Sequence, residues 1–527
     1  MRRVVLLTLV VALVVPAAAP ATATGRPLEP ELVAVYPNPV TAEDRGEFVV
    51  VDAPLETPLQ RYALTDGEST VALPNRTVSG RVVLAHDPGV AANHTDGAVV
   101  RLDAFPALAN EGERVALVRE NRTVSSITYP DAPEGETWRA GAWHPLAGTD
   151  RSVVHGGDGT ARAFVLPDTP SAPLAAIRNA SDRVLLAGYT LTSRRVTRAL
   201  LAAHRRGATV RVLVDGAPVG GLTRAQAARL DRLTAAGIEV RVVAGPHAAY
   251  DFHHAKYVVA DGRATVLTEN WKPAGTGGSS SRGWGVTVAD TEAVSALAAT
   301  FRADAAPLGT VPWREFRRGE RFEPANATSG SYPPQVAPAR LPYRNVSVLV
   351  APDNAEAALV ARLDRADASI RVLQVSVGSR RQPFLRAAVR AARRGVEVRV
   401  LLSSAWYVAE ENRALVEHLD ALANREDLPL DARVTSPRGR FEKVHAKGVV
   451  VDDTVVLGSL NWNNHSAREN REVLLALEGE RVAGYYRRVF DADWRHSGQR
   501  LPVGLPVVLA VAAGGCLLAA RRLEFER

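Results

Sequence analysis

Cysteine is almost absent from this chain: among 527 residues only Cys516 carries a thiol. That excludes a disulfide scaffold and a thiolate zinc site, and leaves apolar cores to do the stabilising. Lysine is nearly as scarce. Four residues, Lys256, Lys272, Lys443 and Lys447, stand against 60 arginines. Where arginine serves for generic positive charge, each retained lysine is a position to inspect. A strong charge bias is missing too. The 64 basic and 57 acidic residues leave +7, and part of that excess sits at the two termini, so charge alone names no anionic partner. Hydrophobic residues make up 46% and charged residues 23%. These globular values exclude a disordered, collagen-like or polytopic membrane chain, and the length implies roughly two to four domains.

The two ends carry what the middle lacks. Arg2-Arg3, an apolar run from Val4 to Val15 and the small residues Ala21-Thr22-Ala23 have the order of a secretory signal, residues 1–23. Residues 501–520 form a run of 20 without a charge, followed by Arg521-Arg522. At about 1.5 Å per residue this run crosses a ~30 Å hydrocarbon core, and the arginines predict a cytoplasmic tail. The expected protein is a single-pass protein of the cell membrane with its body extracellular. Seven N-x-S/T sequons, at Asn75, Asn93, Asn121, Asn179, Asn326, Asn345 and Asn464, are compatible with an exported surface.

Between the ends three parts follow. Residues 28–135 hold short β-rich runs such as Phe48-Val-Val-Val51 and Arg114-Val-Ala-Leu-Val118, separated by turn signals, which predicts a β-sandwich. From 151 apolar strands alternate with Ala- and Arg-rich helices, which predicts βαβ units and a mostly parallel sheet. This pattern occurs twice. Pro167-Asp168 is echoed by Pro352-Asp353, and Arg205-Arg-Gly-Ala-Thr-Val-Arg-Val-Leu213 by Arg393-Arg-Gly-Val-Glu-Val-Arg-Val-Leu401. A near-constant offset marks a duplicated domain: one lobe over 151–306, a second over 341–495, and a linker rich in Pro, Arg and Gly over 307–340.

Each lobe repeats one motif: His254-Ala-Lys256 with Asp261, and His445-Ala-Lys447 with Asp452. Sixteen residues beyond each histidine stands Asn270-Trp271 or Asn461-Trp462. In an extended segment positions i and i+2 share a face, so each His and Lys point the same way. Histidine serves as nucleophile or proton carrier near neutrality, and lysine holds a phosphate oxygen. The asparagines add donors. The sequence offers no metal-ligand cluster, so no metal and no cofactor are expected. His253, on the opposite face, reads as a packing or solvent-facing residue.

These residues resemble the phospholipase D superfamily and its H-x-K-x4-D signature over 151 to about 495. The resemblance implies duplicated phospholipase D-like α/β lobes facing one shared site, with His254 as nucleophile and His445 as general acid beside Lys256 and Lys447. It assigns phosphate contacts to Asn270, Thr268, Ser459 and Asn461, orientation of a histidine to Glu472, and a structural role to Asp261 and Asp452. If partners cross between the copies, Glu472 serves His254. The first copy departs from the pattern. It has Leu267-Thr268 for Gly458-Ser459 and Gly283-Trp284-Gly285 around the Glu472 position, so one histidine is expected to lack its carboxylate. Tyr36-Pro-Asn-Pro39, Gly46-Glu-Phe48, Leu64-Thr-Asp66 and Leu108-Ala-Asn-Glu-Gly112 resemble the immunoglobulin-like lamin-tail domain.

The implied function is an exported, membrane-anchored phosphodiesterase, hydrolase or transphosphatidylase, acting on a phospholipid or other phosphodiester through a phosphohistidine. Its partners are then the substrate and, through the C-terminal helix, the membrane. Both motifs lie in one chain, so no oligomer is required. Two other readings stay open. One is a metal-independent nuclease that uses Arg380, Arg381, Arg386, Arg390, Arg393 and Arg394 to track nucleic acid. The other is a non-catalytic phosphodiester-binding protein.

Overall fold

The computed structural model describes residues 29–497, apart from 40–45, 89–97, 147–148, 246, 325–327 and 329. The chain divides into two compact units at Leu146. In the N-terminal unit, Val- and Leu-rich strands alternate buried and exposed positions, as a half-buried sheet demands. A six-stranded sheet runs in the order Ala142–Pro145, Glu136–Arg139, Glu31–Tyr36, Phe48–Pro58, Thr77–Ala85, Ala98–Arg101, and a four-stranded antiparallel sheet in the order Thr70–Ala72, Ala63–Thr65, Glu113–Arg119, Arg122–Tyr129. Val35, Val49 and Val82 of the first share a buried core with Leu64, Val115 and Leu117 of the second.

The second unit contains both repeats. In the first lobe the strands Arg183–Gly188, Thr209–Asp215 and Glu239–Val243 are parallel, and in the second Ser369–Gln374, Glu397–Leu402 and Leu430–Val434 are. Apart from the short parallel pairing of Lys443–Val444 with Ser281–Val288, the rest is antiparallel, so the expected mostly parallel sheet is corrected to a mixed one. The cause is local. Lys256–Ala260 and Arg263–Leu267 are joined through Asp261-Gly262, and Gly448–Val451 and Thr454–Gly458 through Asp452-Asp453. A two-residue turn allows only an antiparallel return, and Asp261 and Asp452 take the positive φ such a turn needs, 50° and 48°.

The lobes exchange segments. Val154–Gly156 pairs with Asn345–Ala351 in the second sheet, while Ala339–Tyr343 and Lys443–Val444 pair into the first. The stretch 307–340 carries the strand Thr310–Pro312 and the short helix Trp313–Phe316. Trp284, Val286 and Tyr257 share one buried core with Val455, Leu475 and Tyr486, so the lobes are held by apolar packing across their boundary.

The expected single-pass localisation is corrected as well: among the described residues no helix is long and apolar enough to cross a membrane. The signal segment 1–23 and the apolar run 501–520 lie outside the described residues.

Candidate active site

Backbone pairing across the lobe boundary builds the site. The N–H of His254 donates to the carbonyl of Arg471 at 2.9 Å, and the N–H of His445 to that of Arg282 at 3.0 Å. Each motif histidine is thereby set beside the residue that follows the other lobe's arginine. For His254 that residue is Glu472, whose Oε1 and Oε2 lie 2.9 and 3.0 Å from Nδ1. For His445 it is Gly283, which offers nothing.

The expected lone histidine is nevertheless not found. Glu269 Oε2 stands 3.2 Å from Nδ1 of His445, an ion-pair contact off the line of a hydrogen bond. The signal was in the sequence: Glu269 faces Leu460 in the repeat while Gly283 faces Glu472, a reciprocal exchange between the copies.

The histidine side chains are 11% and 20% exposed, His254 and His445 respectively, so each reaches solvent by an edge. Burial pushes both down to about 4. Around His254 the carboxylate of Glu472 opposes that fall and Lys256 adds to it. Around His445 Lys447 adds to it and Glu269 opposes. Lys256 and Lys447 are buried, and their ammonium groups donate to the carbonyls of His254 and His445 at 2.5 and 2.7 Å. Burial lowers Lys256 well below the usual range and Lys447 to about 8. Lys256 acts on His445 and Lys447 on His254, so the motifs form one electrostatic site. Burial also raises the carboxyl of Glu472, but His254, Lys256 and Ser459 together hold it below the usual range. The ring of Tyr189 lies edge-on to His254 at 4.7 Å and under the Lys256 ammonium at 5.2 Å.

Asn270 and Asn461 are half-buried. Thr268 and Ser459 are wholly buried, and their hydroxyls accept from the backbone N–H of Trp284 and Val473 at 3.0 Å each. The resemblance assigns phosphate contacts to these two hydroxyls; in the structure they tie adjacent strands. Asp261 accepts from the N–H groups of Ser181, Asp182 and Arg183, and Asp452 from those of Asp367, Ala368 and Ser369. Each aspartate thus fastens its hairpin to the start of the neighbouring strand.

His253 is fully buried and pairs with Asp304 at 3.2 Å, so it does not face solvent. Sequence reasoning also missed the buried arginines. Arg471 pairs with Asp304 and Asp353, and Arg282 with Asp168 and Asp493. Of the basic helix, Arg390 and Arg393 are paired with Asp364 and Glu426, and Arg394 bonds to backbone carbonyls. Among the described residues one group has metal-ligand spacing. It is Asp251, His465 and Glu469, with ligand atoms within 4.8 Å of one another; both carboxylates are exposed, and Glu469 already pairs with His465.

The model of a family described as "Cardiolipin synthase, PLD-like domain" matches residues 174–305 and 359–494, slightly more than half of the chain and once per lobe. No curated protein matches. The crystal structure of phosphatidylserine synthase from Haemophilus influenzae Rd KW20 is similar in fold: TM-score 0.50, 13% identity, 64% of this chain and 86% of that one covered. A phospholipase D family member, Nuc from Salmonella typhimurium, is 19% identical over 29% of this chain and 97% of its own, with a TM-score of 0.26.

Proposed function

The chain belongs to the phospholipase D-like family of the cardiolipin synthase type, and from that premise we propose that it is a phosphodiesterase whose two lobes share one site. The observation that carries this is the engagement of each motif histidine at Nδ1 by a buried carboxylate, which leaves Nε2 to meet substrate. His254 Nε2 attacks phosphorus, forming a P–N bond as the bond to the leaving oxygen breaks, and His445 gives that oxygen its proton. His445 then takes a proton from water or an acceptor alcohol, whose oxygen displaces His254. Lys256 and Lys447 hold the non-bridging oxygens, and Asn270 and Asn461 donate beside them.

A phospholipid is the favoured substrate because large apolar side chains are exposed on the loops that follow Thr209–Asp215 and Glu397–Leu402. Trp406 is 89% exposed and stacks edge-on with Tyr407, which lies under the ammonium of Lys443. On the equivalent loop of the first lobe Val219 is 81% exposed, and its N–H donates to Tyr189. An amphiphile suits such exposed apolar side chains. The pairing of Arg390 and Arg393 within the protein takes support from the nucleic-acid reading. The two-sheet N-terminal unit is read as the lamin-tail-like, immunoglobulin-type module, outside the chemistry.

The test is turnover by the full chain, with a chelator present, of bis-p-nitrophenyl phosphate, labelled phospholipid vesicles and single-stranded DNA. Lipid turnover that His254→Ala abolishes is expected. DNA turnover without lipid turnover would replace the substrate assignment, and no turnover of any of the three would overturn the enzyme reading.

A further inference from the structure

We propose that Glu269 is the positioning carboxylate of His445, supplied from the end of one strand because the neighbouring strand position that carries Glu472 in the other lobe is Gly283. The equivalence of Gly283 and Glu472 is one of register. Gly283 pairs with Leu166 and Glu472 with Ala351, each of which precedes a Pro-Asp pair, and each follows a buried arginine. A Cβ on Gly283 would lie 2.3 Å from Cγ and 2.7 Å from Oε1 of Glu269, and its backbone takes no positive φ. The glycine is therefore needed for the room that Glu269 occupies. Gly275 makes room on another side: a Cβ there would lie 2.5 Å from Oε2. In the second lobe the counterpart of Glu269 is the buried Leu460, beside which Glu472 has its usual place.

The relocated carboxylate holds its histidine differently. Glu472 brings two oxygens to His254, whereas Glu269 brings one to His445, and its Oε1 is buried without a protein partner. The charged groups that act on His445 are Lys447, Glu269 and Lys256. Glu269 is the anion among them, so its removal makes His445 harder to protonate.

The assignment rests on the phosphodiesterase reading for its kinetic consequences alone, and a binding measurement separates the two. In the full chain, labelled at histidine, the proton titration of His445 is followed by NMR for the parent protein, E269Q, E269L and E269L/G283E. Loss of the carboxylate is expected to lower the midpoint of His445 by about one pH unit, a tenfold loss of proton affinity. The same variants should lose about tenfold or more in kcat with KM little changed, and E269L/G283E, which copies Leu460 and Glu472, should recover both. An unchanged His445 midpoint in E269Q and E269L overturns the proposal. So does a folded E269L/G283E with no recovery. E269Q, nearly isosteric, decides if the double variant does not fold. Absence of turnover in the parent protein would count against the phosphodiesterase reading and leave the titration to judge Glu269.

Discussion

The backbone N–H of His254 donates to the carbonyl oxygen of Arg471 across the lobe boundary, and His445 repeats this bond with Arg282. Each arginine is wholly buried and bridges two aspartates, one from the Pro-Asp turn of its own lobe and one from the last helix of the opposite lobe. The chemistry and the joint between the lobes therefore share one scaffold.

Arg471→Ala tests that scaffold. It leaves Asp304 and Asp353 buried without their cation, which costs about 3–5 kcal/mol. Denaturant unfolding should show this loss, together with loss of activity. R471A/D304N/D353N should recover part of the stability, because the stranded charges are gone.

The pH dependence follows from burial of the histidines. His254 and His445 are both lowered to about 4. The working form has a neutral His254 and a protonated His445. Above about pH 4 the fraction of free enzyme in that form falls by roughly tenfold per unit, so kcat/KM should decline toward neutrality. A bound phosphodiester anion favours the proton on His445, so the alkaline limb of kcat should lie at higher pH than that of kcat/KM. Coincident limbs would argue against His445 as the acid.

Lys447 sets a second limit. Burial lowers it to about 8, so its charge is present below that pH and fades above it. KM should rise as pH passes 8, and Lys447→Arg, whose charge persists, should remove that rise while impairing kcat through its different geometry. Initial-rate measurements from pH 6 to 10 check this.

Asp452→Ala strips three backbone N–H groups of their acceptor and puts alanine at a positive φ. A loss of about 1–3 kcal/mol is expected from unfolding curves, with the histidine chemistry otherwise intact in the folded fraction.

The repeat was legible in the sequence because His-Ala-Lys, Asp and Asn-Trp recur at fixed spacing, and four lysines stand out against 60 arginines. The hairpins were harder to read, since buried valine runs look alike in parallel and antiparallel sheets, and only the two-residue turns at Asp261 and Asp452 decide between them. The partner of His445 was hidden for a different reason. A carboxylate can reach the same point in space from position 269 or from position 283, and a search at the Glu472 position alone meets Gly283 and overlooks Glu269 opposite Leu460. The buried arginines were masked by the abundance of arginine itself.

The most direct test of the two-histidine site is a rapid quench of the full chain with a phosphodiester substrate in base, followed by peptide mass spectrometry. The account predicts a phosphoryl-linked substrate fragment on His254, which accumulates in His445→Ala and is absent in His254→Ala. Undiminished turnover by His254→Ala, or an adduct on a residue other than the motif histidines, would contradict it.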